Sequence, residues 1–115
     1  MKHLIGHVEG VQIDTISQLQ EIMDMVATEC EFTVVGSSFH QFEPVGATGV
    51  LVLSESHFSA HTYPEDSKVY IDVFCCAPSF DPELCSRVIL KHFGATHASW
   101  QVVNRAWQDL RIYSH

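Results

Sequence analysis

Basic residues are few: 6 Lys and Arg stand against 14 Asp and Glu in 115 residues, a formal charge of −8. No stretch gathers lysines and arginines into a patch, so binding to a nucleic-acid backbone is disfavoured. Long apolar runs are missing as well. Hydrophobic residues make up 46% of the chain, yet no run approaches the ~20 residues that cross a bilayer. The opening MKHLIGHVEG has neither the apolar core nor the small-residue cleavage site of a secretory signal. The expectation is a soluble, cytoplasmic protein with no membrane partner. Cysteine is limited to Cys30, Cys75, Cys76 and Cys85; they form no paired CxxC knuckles, which argues against a disulfide framework and for reduced thiols. Repeats, low-complexity tracts and linkers are absent, and the length suits one domain, residues 1–115.

What is present is a strongly patterned chain. Residues 3 to 9 read as a strand. Asp14-Thr15 opens a helix running to about Glu29, with Thr15 and Gln18 forming a capping box and Ile16, Leu19, Ile22, Met23, Val26 and Cys30 forming its buried stripe. Phe32 to Val35 turns to β character, and Gly36-Ser37-Ser38 marks a turn or bulge, followed by a loop around Pro44 and Gly46. Gly49–Ser54, Phe58–Thr62 and Val69–Cys75 read as an antiparallel meander. Asp81-Pro82-Glu83 starts a second helix that Gly94 ends, with Leu84, Val88, Ile89 and Phe93 buried. Ala98 to Val103 and Asp109 to Tyr113 return as strands. This order predicts an α+β two-layer sandwich, an antiparallel sheet with both helices packed on one face. The other face then calls for a cover, and a second copy of the chain in a homodimer is the natural candidate.

The chemistry-bearing residues concentrate between His40 and Cys76. Alternation along a strand puts Ser56 and His61 on opposite faces, so spacing alone assembles no site, although a meander can bring side chains of neighbouring strands together. Taken without context, Ser56 is an ordinary strand serine and Cys76 a core thiol. His57 and His61, four apart in β-rich surroundings and without the acid of an HExxH helix, do not read as a metal site.

Three blocks change that reading: His40-x-Phe42-x-Pro44-x-Gly46, then Glu55-Ser56-His57-x-x-x-His61-Thr62-x-Pro64-Glu65, then Asp72-Val73-Phe74-x-Cys76. Together, at this spacing, they resemble the small prokaryotic form of S-adenosylmethionine decarboxylase. The resemblance implies a chain that cuts itself between Glu55 and Ser56, giving residues 1–55 and 56–115. The Ser56 hydroxyl attacks the Glu55 carbonyl, the amide becomes an ester, and elimination then hydrolysis leave a covalent pyruvoyl group derived from Ser56. That group condenses with a substrate amine and takes up the electrons released with carbon dioxide.

By matching position, the resemblance makes His61 the base that removes the Ser56 α-proton, Thr48 its helper in the acyl shift, and Cys76 the acid that returns a proton to the substrate. It assigns Phe42, Tyr63 and Glu65 to the binding of S-adenosylmethionine and implies no metal. This chain departs from the family's usual pattern at three places: Thr48 stands for Ser, Tyr63 for Trp, and Cys75-Cys76-Ala77 for Thr-Cys-Gly. The change at Tyr63 keeps a pyruvoyl-dependent arginine or ornithine decarboxylase as an alternative. A homologue that does not process and acts as a binding partner is another.

Overall fold

A computed structural model describes residues 1–105, and the strand expected over 109–113 lies outside that range. The order is β1 (Lys2–Glu9), α1 (Ile16–Glu29), β2 (Val34–Gln41), β3 (Ala47–Leu53), β4 (Ser56–Tyr63), a short 3-10 turn at Pro64–Asp66, β5 (Lys68–Cys75), α2 (Pro82–Phe93) and β6 (His97–Asn104). The helices start where their caps dictate. The Thr15 hydroxyl accepts the Gln18 N–H while the Gln18 carboxamide accepts the Thr15 N–H, the reciprocal pair that satisfies two orphan donors. At α2 the Asp81 carboxylate accepts the N–H groups of Glu83 and Leu84, and Pro82 occupies a position that has no N–H to satisfy. Gly94 closes α2 at φ 65°, a conformation that glycine adopts without a side-chain clash.

The six strands form one antiparallel sheet in the order β2-β3-β4-β5-β1-β6. Sequential β2 to β5 make the expected meander, and β1 completes the sheet between β5 and β6. Period-two alternation turns Leu4 and Val8, Leu51 and Leu53, Phe58 and Ala60, and Val69, Ile71 and Val73 to one face, where they are buried. Leu19, Met23 and Val26 of α1 and Cys85, Val88 and Ile89 of α2 cover that face. The architecture is thus an α+β two-layer sandwich with both helices on one side of the sheet. The opposite face carries His3, Ile5, His57, His61, Tyr63, Tyr70 and Asp72, and Ile5, Val52, Tyr63 and Tyr70 on it are exposed.

Of the turn or bulge expected at Gly36–Ser38, the structure has the bulge, between Val34 and Gly36, and β2 continues through it to Gln41. One local expectation is corrected. Leu84 is not on the buried stripe of α2; it is half exposed, and Cys85 takes the core position one residue on. Among the described residues no helix is long and apolar enough to cross a membrane.

Candidate active site

The two-residue turn Ser54-Glu55 joins β3 to β4 and sets the local geometry at the expected cleavage bond. Leu53 and Ser56 are the last pair of that ladder, and Glu55 is held at φ 62°, a left-handed conformation that costs a residue with a β-carbon about 1–2 kcal/mol. Cys76, one residue past the end of β5, reaches this turn. Its thiol donates to the Glu55 carbonyl oxygen at 3.2 Å, and its backbone N–H donates to Ser56 Oγ at 3.4 Å. Ser56 Oγ and Cys76 Sγ are 3.8 Å apart. A carbonyl that is to be attacked needs a donor on its oxygen, and the Cys76 thiol is placed as one. Sequence reasoning gave Cys76 only a later role, as a proton donor to substrate.

Thr48 and His61 form the second group. They are directly paired across β3 and β4, and the Thr48 hydroxyl lies 3.0 Å from His61 Nδ1. Phe42, Thr48, His61, Tyr63 and Glu65 line one cleft of about 280 Å³ together with Val45, Gly46 and Thr62. All three expected binding residues are therefore gathered around the expected base. The 3-10 turn after β4 brings Glu65 to the cleft, and the Gln41 carboxamide holds the loop before β3 by donating to the Gly46 carbonyl at 2.9 Å.

The chain does not bring these two groups together. Ser56 begins β4 and His61 lies five residues along it, about 16 Å of extended backbone. The two side chains also leave the strand on opposite faces.

A third constellation was missed by sequence reasoning. On the open face of the sheet, Asp72 of β5 accepts hydrogen bonds from His3 Nε2 of β1 at 2.7 Å and His57 Nε2 of β4 at 2.8 Å, both on Oδ2. Its other oxygen accepts the Ser59 hydroxyl. Burial pushes the Asp72 carboxyl up, but the donors Ser59, His3 and His57 together outweigh it and hold the group below its ordinary value. The signal was there to read: one carboxylate set among Val69, Tyr70, Ile71, Val73 and Phe74 in a central strand needs a partner. Cys30 and Cys85 stay in the helix layer. The neighbouring Cys30 thiol and then burial push Cys85 well above the ordinary thiol range, which suits a structural role.

Residues 2–106 match the family model described as S-adenosylmethionine decarboxylase. An S-adenosylmethionine decarboxylase proenzyme of Symbiobacterium thermophilum is 40% identical over 94 residues, which cover 82% of this chain and 71% of that protein. The proenzyme of Carboxydothermus hydrogenoformans is 34% identical over 107 residues, covering 90% and 84%. Among solved structures, the adenosylmethionine decarboxylase of Aquifex aeolicus superimposes with a TM-score of 0.83 at 28% identity, covering 91% of this chain and 89% of its own. Family model, relatives and fold agree with the motif blocks around Ser56, and the chain belongs to the S-adenosylmethionine decarboxylase family.

Proposed function

We propose that this protein is a self-processing decarboxylase that converts S-adenosylmethionine to the decarboxylated aminopropyl donor of polyamine synthesis. The observation that carries this reading is the clasp at the turn: Cys76 on the Glu55 carbonyl and on Ser56 Oγ, with Glu55 held in a left-handed conformation. In the self-cleavage, Ser56 Oγ forms a bond to the Glu55 carbonyl carbon, the carbon–nitrogen bond breaks, and the hydroxyl proton ends on the freed nitrogen. Removal of the Ser56 α-proton then breaks the Cβ–oxygen bond and releases Glu55 as a carboxylate, and water replaces the nitrogen, which leaves as ammonia. The Cys76 thiol stabilises the oxygen while charge builds on it. Residues 1–115 act as one domain, cut into 1–55 and 56–115. These residues fit a pyruvoyl group made from Ser56, since its precursor hydroxyl lies beside the Cys76 thiol that also reaches the Glu55 carbonyl. Once formed, the pyruvoyl group supplies a carbonyl for the substrate amine and a sink for the electrons of the departing carboxylate.

The substrate half of the site is the cleft around His61. Phe42 and Tyr63 offer aromatic faces to a sulfonium or an adenine, and Glu65 offers a carboxylate to ribose hydroxyls. Thr48 and His61 provide a hydroxyl–imidazole pair for proton movement.

A single chain keeps that pair far from Ser56, so the working unit is a homodimer. A two-fold axis over the open sheet face and perpendicular to β4 would run the two copies of β4 in opposite directions and lay the His61 end of each near the Ser56 end of the other. Two identical sites result. The uncovered Ile5, Val52, Tyr63 and Tyr70 support this face as the contact.

Release of labelled carbon dioxide from carboxyl-labelled S-adenosylmethionine, arginine and ornithine, assayed side by side on processed protein, tests the substrate. Turnover of S-adenosylmethionine alone is expected. Preference for a basic amino acid would move the assignment to the alternative suggested by Tyr63.

A further inference from the structure

We propose that Asp72 is a positioning residue for the self-cleavage: its carboxylate, gripped by His3, His57 and Ser59, fixes β4 against β5 so that Cys76 rests on the Glu55–Ser56 bond. The inference deepens the self-cleavage reading and rests on it.

On its β1 side the approach to Cys76 is held, since β1 pairs with β5 as far as Cys75; its β4 side is open. Cys76 lies beyond the end of β5, and the last backbone pair between β4 and β5 is His57 with Phe74. Past that pair no ladder bond aligns Cys76 with Ser56. The side chain of Asp72 supplies the alignment. It is bonded to His57, the residue next to Ser56 in the chain, and to Ser59 on the same strand, while His3 ties it to β1 on the other side. One carboxylate therefore joins three adjacent strands at the end of the sheet where the bond is to be cut. The joint is packed as well as bonded: the His3 and His57 rings stand edge to face at 5.9 Å, and both lie within 5.9 Å of the Phe74 ring. The histidines act as N–H donors here. An ionised carboxylate needs only their Nε2 protons and not a change in their charge.

The test follows by intact mass the cutting of full-length precursor made by cell-free translation, comparing wild type with Asp72→Asn, His57→Ala and His57→Gln. Glutamine places an amide N–H near the histidine Nε2–H and removes the titratable ring. Asp72→Asn and His57→Ala are expected to slow cutting about tenfold or more, since an ångström of misplacement costs up to ~100-fold. His57→Gln is expected close to the wild-type rate. Asp72→Asn cutting at the wild-type rate, or His57→Gln as slow as His57→Ala, would overturn the inference. If Asp72→Asn fails to fold, the two His57 variants carry the test. His3, His57 and Asp72 also present ligand atoms within 4.8 Å of one another; cutting is expected to be indifferent to EDTA, and EDTA-sensitive cutting would replace the hydrogen-bonded brace with a cation bridge. A wild type that stays whole would remove the self-cleavage reading itself. Alkylation of Cys76 by iodoacetamide in a Ser56→Ala background then decides the brace: faster reaction on adding Asp72→Asn supports it, and an unchanged rate refutes it.

Discussion

At the scale of single residues, the polarisation of one carbonyl separates this turn from an ordinary hairpin. The Cys76 thiol, 3.2 Å from the Glu55 oxygen, is the donor there, so Cys76→Ala should slow precursor cutting by about 100-fold, the usual loss when a donor to a developing oxyanion is removed. A time course of intact mass measures it, and an unchanged half-time would take Cys76 out of the processing step. Thr48 makes a gentler case. Its hydroxyl is the partner of His61 Nδ1, and its methyl group has no assigned task. Thr48→Ser should therefore cut like wild type, whereas Thr48→Val should be slow; equal rates for both would leave the hydroxyl without a role.

At the scale of elements, the sheet depends on close contacts that tolerate little change. A β-carbon added at Gly6 would clash with the Ser99 carbonyl oxygen and lie 2.6 Å from the Trp100 ring, so Gly6→Ala should push β6 from β1 and destabilise the fold by about 1–3 kcal/mol. Thermal unfolding checks this. Asp72 adds a pH dependence with a definite sign. Its carboxyl is held below the ordinary 3.8 in the folded state. The stability it gives is thus complete above that value and is lost as pH falls through the depressed one. The gap in melting temperature between wild type and Asp72→Ala should be full at neutral pH and close in acid below about pH 4; a gap that widens in acid would reverse the assignment. Helix ends, the meander and the buried stripe of α1 were legible in the sequence because caps, turns and periodicity are local. The course of β2 beyond Gly36 was not settled there, since the composition of Gly36–Ser38 fits a turn as well as the bulge that continues the strand. Nor was the Asp72 cluster, whose partners His3 and His57 stand 69 and 15 residues away.

At the scale of the whole molecule, the candidate site is in two pieces. Motif matching names Ser56, His61 and Cys76 together, but it cannot tell residues that share one chain's site from residues that meet across two chains. The register of β3 and β4 shows that the two lie apart within one chain, since it pairs His61 with Thr48 and leaves Ser56 at the far end; the proposed dimer is what would bring them together. Co-expressing Ser56→Ala with His61→Ala chains checks the consequence. Each variant alone should stay whole, while a mixed dimer rebuilds one site and cuts only the His61→Ala chain. A mixture that remains whole would mean that His61 does not act across the interface. The central claim is the self-cleavage, and intact-protein mass spectrometry of wild type beside Ser56→Ala tests it most directly. Two wild-type fragments are expected, 1–55 and a 56–115 piece lighter than simple hydrolysis would leave, with Ser56→Ala whole. A wild-type chain that stays whole after long incubation would contradict it.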